Sequence, residues 1–319
     1  MVNSKRKTII AAFIVLSTLF IIFSAVVGFK GYSNPSNNVF SEDTVFTNRT
    51  YKLPDNVTFA GEKMPLENFD TRESLEREIL TSAYRHSSTI MIIKRANRYL
   101  PVIEKILRKN NIPDDLKYLA AAESEFSNMI SPVGATGFWQ IMPETGREAG
   151  MEINNEVDER YDLEKSTQFA CEYFQKSYEK YGNWTLAAAS YNGGRSAVDE
   201  QIQIQNQNNY YDLLLSEETA RYIFRAVAYK LIITDPGSYG FTIDKDDLYP
   251  ELKYFEVKVD SAVTSFSRFA EMYGTNYKLL KFLNPWLRKS YLTPKPSKEY
   301  IIKIPVAGMR RIEKTEAVN

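Results

Sequence analysis

The sequence predicts a mainly helical protein with an N-terminal membrane helix, a helical domain and a small β-α-α-β domain at the carboxy-terminal end. Apolar side chains recur at helical spacing from about residue 71 to residue 234, and no sheet-forming stretch of any length occurs there. Residues 8–29 are almost wholly apolar and follow a basic flank. From residue 254 onwards the pattern changes to strand, helix, helix and strand.

The bulk composition is that of a folded protein and excludes several classes of function. The chain of 319 residues has room for about two domains. Its 40 basic and 40 acidic residues balance, which argues against nucleic acid as a dominant partner. Cys171 is the only cysteine and His86 the only histidine, so an internal disulfide and a multi-histidine or cysteine-rich metal centre are excluded by count. We predict no cofactor.

The amino terminus has the pattern of a membrane segment. Lys5, Arg6 and Lys7 precede about 22 apolar or small residues, which is enough to span a bilayer as a helix. Residues 24–28 resemble a signal-peptidase site only poorly, so we predict an uncleaved anchor over residues 1–30, with a cleaved signal peptide as the alternative. Positive charge on the cytoplasmic side then leaves the rest of the chain outside the cytoplasm.

The remaining chain divides by composition. Residues 31–70 are rich in Asn, Ser, Thr, Pro and Asp and predict a linker. Residues 71–250 form the predicted helical domain, residues 251–306 the small domain, and residues 307–319 a charged tail. Within the helical domain the periodicity predicts helices over residues 72–84, 87–109, 114–126, 138–148, 162–181, 184–190, 195–202 and 217–233.

Glu123 is the first candidate for a chemical role. It falls on the apolar face of the predicted helix 114–126, the face that Leu119 and Ala120 also mark. A carboxylate that faces a core is costly unless it is compensated, and burial raises its pKa, as a general acid requires. The alternative is a structural glutamate paired with an arginine, and periodicity alone does not decide between the two.

A glycine-rich aromatic segment, residues 134–143, follows shortly after this glutamate. Gly134 and Gly137 would let the backbone approach a ligand closely or adopt unusual dihedral angles. Trp139 could shield Glu123, and Gln140 could hydrogen-bond an N-acetyl group or the carboxyl group. The alternative is a turn whose Trp139 and Met142 belong to the core. With a buried proton donor nearby, the segment indicates an enzyme that cuts a polysaccharide.

Two further segments are uninformative alone. Tyr191 and Asn192 end a helix that two glycines cap, and Tyr222 shares a helical face with Arg225. A second catalytic carboxylate is not evident, because Glu125 lies too far round its helix. An enzyme with one carboxylate needs another nucleophile, and the substrate's own hydroxyl would serve.

In order along the chain, these segments resemble the motifs of the lytic transglycosylases of bacterial cell walls, particularly the membrane-bound type D group with the lysozyme-like soluble-transglycosylase fold. The resemblance covers about residues 90–235, and residues 158–166 resemble the stretch between the second and third motifs. Each motif alone is weak, but four in the right order are specific. The matching residues are Glu123-Ser124, Gly134-Ala-Thr-Gly-Phe-Trp-Gln-Ile-Met-Pro143, Tyr191-Asn-Gly-Gly194 and Glu218-Thr-Ala-Arg-Tyr222.

The resemblance implies an activity and a set of site residues. Glu123 would protonate the oxygen between N-acetylmuramic acid and N-acetylglucosamine, and then accept the proton of the muramyl 6-hydroxyl as that oxygen attacks C1. The partners would be peptidoglycan glycan strands, met in the cell envelope with the catalytic domain in the periplasm. The implied substrate-binding residues are Ser124, Gly134, Gln140, Met142, Tyr191, Asn192 and Tyr222. A hydrolytic muramidase resembling goose-type lysozymes and an inactive peptidoglycan-binding scaffold remain as alternatives.

The small domain resembles a LysM module, a unit that binds N-acetylglucosamine-containing glycans. The resemblance lies in residues 273–280 and 283–285. The usual Gly-Asp-Thr after the first strand is missing, because this chain has Asp260-Ser-Ala-Val-Thr264. The resemblance therefore predicts the fold more than retained glycan affinity, and a packing appendage is the alternative.

Overall fold

The computed structural model of the protein describes residues 50–311. The predicted membrane anchor, residues 1–30, lies outside the described residues, and so do residues 31–49 of the predicted linker and the end of the predicted tail. Within residues 50–311 no helix is both long enough and apolar enough to cross a bilayer.

The helical domain begins with a short antiparallel hairpin whose two strands, β1 (Thr58–Phe59) and β2 (Glu62–Lys63), have two residues each. It continues as helices joined mostly by short loops. The main part of the fold is mainly helical, as predicted. In chain order its helices are α1 (Phe69–Tyr84), α2 (His86–Lys109), α3 (Lys117–Ser124), α4 (Pro143–Glu148), α5 (Leu163–Tyr181), α6 (Trp184–Gly193), α7 (Arg195–Gln205) and α8 (Glu217–Thr234).

Helix α8 is the central element of this domain, because it packs against α1, α3 and α6. Its side chains Tyr222, Ile223 and Ala226 are almost completely buried. Burial of this apolar surface is the main favourable contribution to the fold. The contact between α3 and α8 matters for function, since the first carries Glu123 and the second carries Tyr222.

Short polar side chains cap the first turns of α5 and α6, and a glycine ends α5. Asp162 accepts a hydrogen bond from the Lys165 amide at 3.0 Å and caps α5. Gly182, with φ of 71°, ends that helix in the left-handed conformation. Asn183 then accepts from the Leu186 amide at 2.8 Å and starts α6. These caps follow directly from the residue types and explain why the two helices agree with prediction.

Two predicted helices near the candidate site are shorter than expected. The predicted helix 114–126 ends at Ser124, because Glu125 and Phe126 both have positive φ. The predicted helix 138–148 begins only at Pro143. The residues before it form a tight turn in which Gly137 and Gln140 have φ of 86° and 46° and Thr136 pairs with Ile141.

The described part of the predicted linker is packed against the helices. Phe59 is fully buried and Met64 is 1% exposed, so residues 50–66 form a strap across the core. Glu62 accepts hydrogen bonds from the amides of Trp184 and Thr185 at the start of α6. This part of the chain therefore differs from a free tether, because its few apolar residues are spaced to reach the core.

The small carboxy-terminal domain has the predicted order of strand, helix, helix and strand. It consists of β3 (Tyr254–Val259), α9 (Phe266–Met272), α10 (Tyr277–Leu283) and β4 (Tyr300–Pro305). The two strands are antiparallel, with Val259 opposite Tyr300. Their inner faces and the two helices share a core that also takes in two side chains from the helical domain, Val157 and Tyr161.

Candidate active site

Glu123 lies in the last turn of α3, where its carboxyl group accepts a hydrogen bond from a tyrosine. The Tyr222 hydroxyl donates to Oε1 at 2.6 Å. The glutamate side chain is half-buried. No lysine, arginine or histidine among residues 50–311 forms a salt bridge with it. Glu123 is therefore not the arginine-paired structural glutamate that periodicity left open.

The environment of Glu123 favours its protonated form. Burial raises the pKa of the carboxyl group to about 7, and the negative charge of Glu218 acts in the same direction. The hydrogen bond from Tyr222 and the charge of Arg225 oppose the rise. A carboxyl group with a pKa near neutrality can both give and take a proton, which is the property that general acid–base catalysis requires.

Tyr222 remains a phenol and therefore a hydrogen-bond donor. Burial and then the neighbouring Glu123 raise its pKa well above the usual value. Since Tyr222 donates to Oε1, the proton of a neutral Glu123 is expected on Oε2. Among the described residues no other hydrogen bond to the Glu123 carboxyl group is formed.

The segment beside Glu123 is held by side chains from two helices. We call residues 134–142 the site loop. The buried Ser124 hydroxyl donates to the Phe138 carbonyl at 2.9 Å, and the Tyr191 hydroxyl donates to the Trp139 carbonyl at 2.7 Å. Both predicted site residues therefore act on the backbone of the site loop. The Ser124 bond places the loop relative to α3, and hence relative to the carboxyl group, and the Tyr191 bond places it relative to α6.

Arg160 fixes the other side of the site loop. Its guanidinium donates to the carbonyls of Gly134 and Ile141 at 2.9 and 3.0 Å. The same group forms two hydrogen bonds to Asp158, at 3.0 and 2.8 Å. A Cβ at Gly137 would lie 2.1 Å from the Arg160 carbonyl oxygen. Glycine is therefore required where the loop crosses this backbone.

The remaining predicted residues of the site loop differ in their roles. The Gln140 amide donates to the carbonyls of Gly137 and Met129 at 2.9 and 3.2 Å, so its nitrogen already stabilises the turn. Gly134 has φ of 86° and open space where a Cβ would stand. The Met142 side chain is 37% exposed at the start of α4. An exposed thioether at the end of the loop is free to contact a ligand.

Asn192 joins the end of α6 to the first turn of α8. Its amide donates to Glu218 at 3.3 Å, and the Thr219 hydroxyl donates to its side-chain carbonyl at 2.9 Å. The third and fourth sequence segments therefore meet in space. Among the predicted site residues, Tyr222 is the one that hydrogen-bonds Glu123 directly, while Ser124 and Tyr191 act through the site loop.

Trp139 belongs to the core of the helical domain. It is fully buried, its indole N–H donates to the Thr167 hydroxyl at 2.9 Å, and its ring packs against Phe174 and Tyr191. This is the alternative that the sequence left open for Trp139. Its buried ring supports the loop that adjoins Glu123.

Sequence reasoning missed the role of Arg160. The residue stood within the 158–166 stretch that carries part of the resemblance, but nothing in the sequence showed that its guanidinium would reach the site loop. The structure shows both Arg160 and its partner Asp158 to be buried, at 7% and 8% exposure, which the sequence does not reveal. The spacing to the loop depends on a turn between α4 and α5 that periodicity does not reveal.

Two regions of the chain match models of known protein families. Residues 101–214 match the family model of the transglycosylase SLT domain. Residues 255–308 match the model of the soluble lytic transglycosylase C-terminal LysM-like domain. The chain therefore has a region similar to an SLT transglycosylase domain, followed by a region similar to a LysM-like domain. Glu123 and the site loop lie within the first match, whereas Tyr222 lies beyond its end.

Curated proteins are similar to parts of this chain. The chain is 28% identical over 243 residues to the membrane-bound lytic murein transglycosylase D of Escherichia coli, covering 73% of this chain and 52% of that protein. It is 30% identical over 133 residues to a putative tributyltin chloride resistance protein of Alteromonas, covering 41% of this chain and 64% of that protein. The chain thus spans about half the length of the transglycosylase D proteins that it matches.

Two solved structures are also similar to this chain. The 70 kDa soluble lytic transglycosylase of Escherichia coli has 18% sequence identity and a TM-score of 0.38, covering 58% of this chain and 32% of that one. An inactive mutant of the lytic transglycosylase Slt of Pseudomonas aeruginosa has 20% identity and a TM-score of 0.36, covering 47% and 26%.

Proposed function

We propose that this protein is a peptidoglycan lytic transglycosylase. It would cleave the β-1,4 bond between N-acetylmuramic acid and N-acetylglucosamine and leave a 1,6-anhydromuramyl end. The observation that carries the proposal is the state of Glu123, a half-buried carboxyl group with a pKa of about 7 and a tyrosine donor, inside an SLT domain. That combination supplies one residue able to act first as acid and then as base.

Glu123 would give up a proton in the first step and recover one in the second. In the first step Oε2 of neutral Glu123 would protonate the glycosidic oxygen as the bond to C1 breaks. In the second step the carboxylate would take the proton of the muramyl 6-hydroxyl as that oxygen bonds to C1. No water is consumed, and Glu123 returns to its protonated form. Tyr222 would stabilise the intermediate carboxylate through its hydrogen bond to Oε1.

The other site residues would bind substrate or hold those that do. Met142 is exposed beside the site loop and would contact the glycan. Gly134, Gln140 and Asn192 would line the cleft. The side-chain oxygen of Gln140, which accepts no hydrogen bond within residues 50–311, would be available to substrate. Ser124 and Tyr191 would set the distance between the loop and Glu123.

We also propose a cell-envelope location with residues 1–30 as a membrane anchor and the catalytic domain in the periplasm. The basic flank and apolar run support this, as does the membrane-bound relative. The catalytic domain would extend from about residue 50 to 250, taking in the packed strap at residues 50–66, and the LysM-like domain would span residues 251–306. Its partners would be peptidoglycan glycan strands.

Mass spectrometry of the soluble products released from peptidoglycan tests the proposed function. Residues 31–319 and the same chain with Glu123→Gln are compared on purified cell wall. We expect anhydromuramyl products from the wild-type chain and a loss of at least about a hundredfold in the variant, because amide nitrogen cannot donate and retake the proton.

The alternatives give different results in the same experiment. Products one water heavier would indicate a hydrolytic muramidase. Release of no product by the wild-type chain, together with binding to the cell wall, would indicate a peptidoglycan-binding scaffold. Unchanged activity of the Glu123→Gln variant would contradict the assigned role of this residue.

A further inference from the structure

The two domains meet at a buried ionic junction. Glu152 and Glu159 of the helical domain are each 5% exposed. The Lys298 ammonium of the carboxy-terminal domain lies 2.7 Å from Glu152 and 2.8 Å from Glu159, and the Tyr300 hydroxyl donates to Glu152 at 3.0 Å. Buried carboxylates are stable only when such partners compensate for lost hydration. Glu159 also pairs with Lys165 of its own domain at 2.6 Å, whereas the lysine partners of Glu152, Lys295 and Lys298, both belong to the carboxy-terminal domain. The charge of Glu152 therefore depends on the carboxy-terminal domain for its stabilisation.

The backbone continues the junction next to these charges. The Asp158 amide donates to the Trp286 carbonyl at 2.9 Å, and the Arg288 amide donates to the Glu156 carbonyl at 2.7 Å. Val157 lies opposite Leu287 in a short antiparallel bridge. Residues 152–162, which we call the junction loop, are thus paired with the carboxy-terminal domain by main chain as well as by side chains.

The junction loop in turn holds the site loop. Glu159 accepts a hydrogen bond from the Glu152 amide at 2.7 Å and so closes the junction loop on itself. The next residue, Arg160, reaches the carbonyls of Gly134 and Ile141. A displacement of Glu159 would therefore move the arginine that fixes both ends of the site loop.

Polar contacts carry much of this connection, because the domains do not pack tightly everywhere. A cavity of about 390 Å³ lies between them, lined by Phe138 on one side and by Phe282 and Trp286 on the other. Glu123 does not line it. Where apolar contact is interrupted, the ionic and main-chain contacts of the junction loop set the relative position of the two domains.

We infer that the carboxy-terminal domain is part of the active-site scaffold, with Lys298 and Tyr300 as positioning residues for the site loop. They touch no reacting atom. Their contacts with Glu152 and Glu159 position the junction loop, which carries Arg160. Arg160 in turn hydrogen-bonds the site loop, which Ser124 connects to the helix of Glu123. The LysM-like domain thus acts on catalytic geometry in addition to any binding of glycan.

The test uses variants that remove the polar contacts of Lys298 and Tyr300 and preserve the size of their side chains. Lys298→Met retains the length of the side chain and removes its charge, while Tyr300→Phe removes only the hydroxyl and leaves the ring stacked on Trp286. Lys258→Met is the matched control, because Lys258 is 72% exposed and pairs with Glu299 of its own domain at 3.0 Å. All are made in the full chain, and far-UV circular dichroism establishes that each is folded.

Two measurements read out the positioning role. Hydrogen exchange follows the amides of Thr136 and Ile141, which bond across the site loop. Steady-state kinetics on peptidoglycan, which rest on the proposed function, separate kcat from KM. We expect Lys298→Met to speed exchange in the site loop and to lower kcat about tenfold with little change in KM, while Lys258→Met changes neither. Tyr300→Phe should give a smaller effect in the same direction.

Two results would contradict the positioning role. If the site-loop amides of a folded Lys298→Met variant exchange hydrogen at the wild-type rate, the inference is overturned. A change confined to KM and to sedimentation with insoluble peptidoglycan would make the domain a binding platform only, which also overturns it. If Lys298→Met does not fold, Tyr300→Phe decides by the same exchange measurement. If the wild-type chain releases no anhydro product, the proposed function fails while the exchange measurement still decides the positioning role.

Discussion

At the scale of single residues, the protonation of Glu123 links stability to pH. Its carboxyl group has a pKa of about 7 in the folded protein against 4.5 normally. Below about pH 4.5 both folded and unfolded chains hold the proton. Between these values the unfolded chain releases it and the folded chain does not, so a rise in pH favours unfolding. Above pH 7 the penalty of the buried charge is fully present.

Glu123→Gln should therefore stabilise the protein at high pH relative to low pH. One pKa unit corresponds to about 1.4 kcal/mol, so the difference in unfolding free energy between variant and wild type should grow by on the order of 1–3 kcal/mol from pH 4 to pH 8. Urea unfolding at the two pH values measures it. A difference independent of pH would show that the folded carboxyl group ionises like an exposed one.

Tyr222 should tune the same proton. Its hydrogen bond favours the ionised form, so Tyr222→Phe should raise the pKa of Glu123 further. We expect the fall of kcat with rising pH, which follows loss of the acid proton near pH 7, to move to higher pH, and kcat itself to drop about tenfold. Activity on peptidoglycan from pH 5 to pH 9 provides the measurement.

The matched control is Tyr229→Phe, since Tyr229 is buried two turns further along the same helix and makes no hydrogen bond to Glu123. It should cost stability and leave the pH dependence unchanged. Equal shifts in both variants would mean that general loosening of α8, and not the hydroxyl at Tyr222, sets the pKa.

At this scale the sequence pointed to Glu123 as the candidate acid but did not reveal its surroundings. Glu123 could be found because a charged residue on an apolar helical face is visible in one dimension. The bond between Tyr222 and Glu123 could not, because it joins residues 99 positions apart through the packing of two helices. The resemblance implied site roles for Ser124 and Tyr191, but their hydrogen-bond partners were hidden, since these are backbone carbonyls that carry no sequence signal.

At the scale of elements, the site loop depends on one glycine. Gly137→Ala would combine a positive φ of 86° with a Cβ 2.1 Å from the Arg160 carbonyl oxygen. We expect a loss of about 3 kcal/mol in unfolding free energy and a large loss of activity. Gly134→Ala is the control, because its φ is the same but nothing lies within 4 Å of the added carbon, and it should cost only about 1 kcal/mol.

Unfolding by urea, together with turnover, measures both glycine variants. Equal destabilisation would show that the backbone conformation alone matters and that the site loop does not press against Arg160. An active, stable Gly137→Ala variant would contradict the described crossing of the two backbones.

The N-terminal strap should be needed for folding. A chain of residues 71–311 lacks Phe59, Met64 and the Glu62 carboxylate that caps α6. We expect it to be unfolded or aggregated, because a large apolar surface of the core would be exposed. A chain beginning at residue 50 should fold. Far-UV circular dichroism and gel filtration compare them, and a well-folded 71–311 chain would restore the predicted boundary at residue 70.

The strap also shows what composition hides. Its polar residues dominate any average and predict a linker, whereas a few apolar residues decide its position in the fold. Long helices with a sustained hydrophobic periodicity, such as α2, α5 and α8, were predicted almost to their ends. The turn before α4 was predicted as helix, because the residues that break it, Gly137 and Gln140, do so through backbone dihedral angles and not through hydrophobic pattern.

At the scale of the whole molecule, the sequence predicts two domains, and the contacts between them indicate one cooperative unit. Val157 and Tyr161 of the helical domain are buried in the core of the carboxy-terminal domain. Burial disfavours the ionised form of Glu152, but hydrogen bonds from Lys298 and Tyr300 outweigh it and lower the pKa of this carboxyl group. Removal of the carboxy-terminal domain would expose Val157 and Tyr161 and leave the Glu152 carboxylate without Lys298 and Tyr300.

We therefore expect a chain of residues 50–250 to melt at a temperature about 5 °C or more below that of residues 50–311, and the longer chain to unfold in one transition. Circular dichroism during heating measures both, with residues 50–306 as the control that removes only the tail. The control should match the longer chain, since the contacts at Glu152 and Val157 remain. Two separate transitions, or equal melting of residues 50–250, would mean that the domains are stable independently. A junction that contributes so little could not hold the site loop, so the same result would weaken the case for Lys298 as a positioning residue.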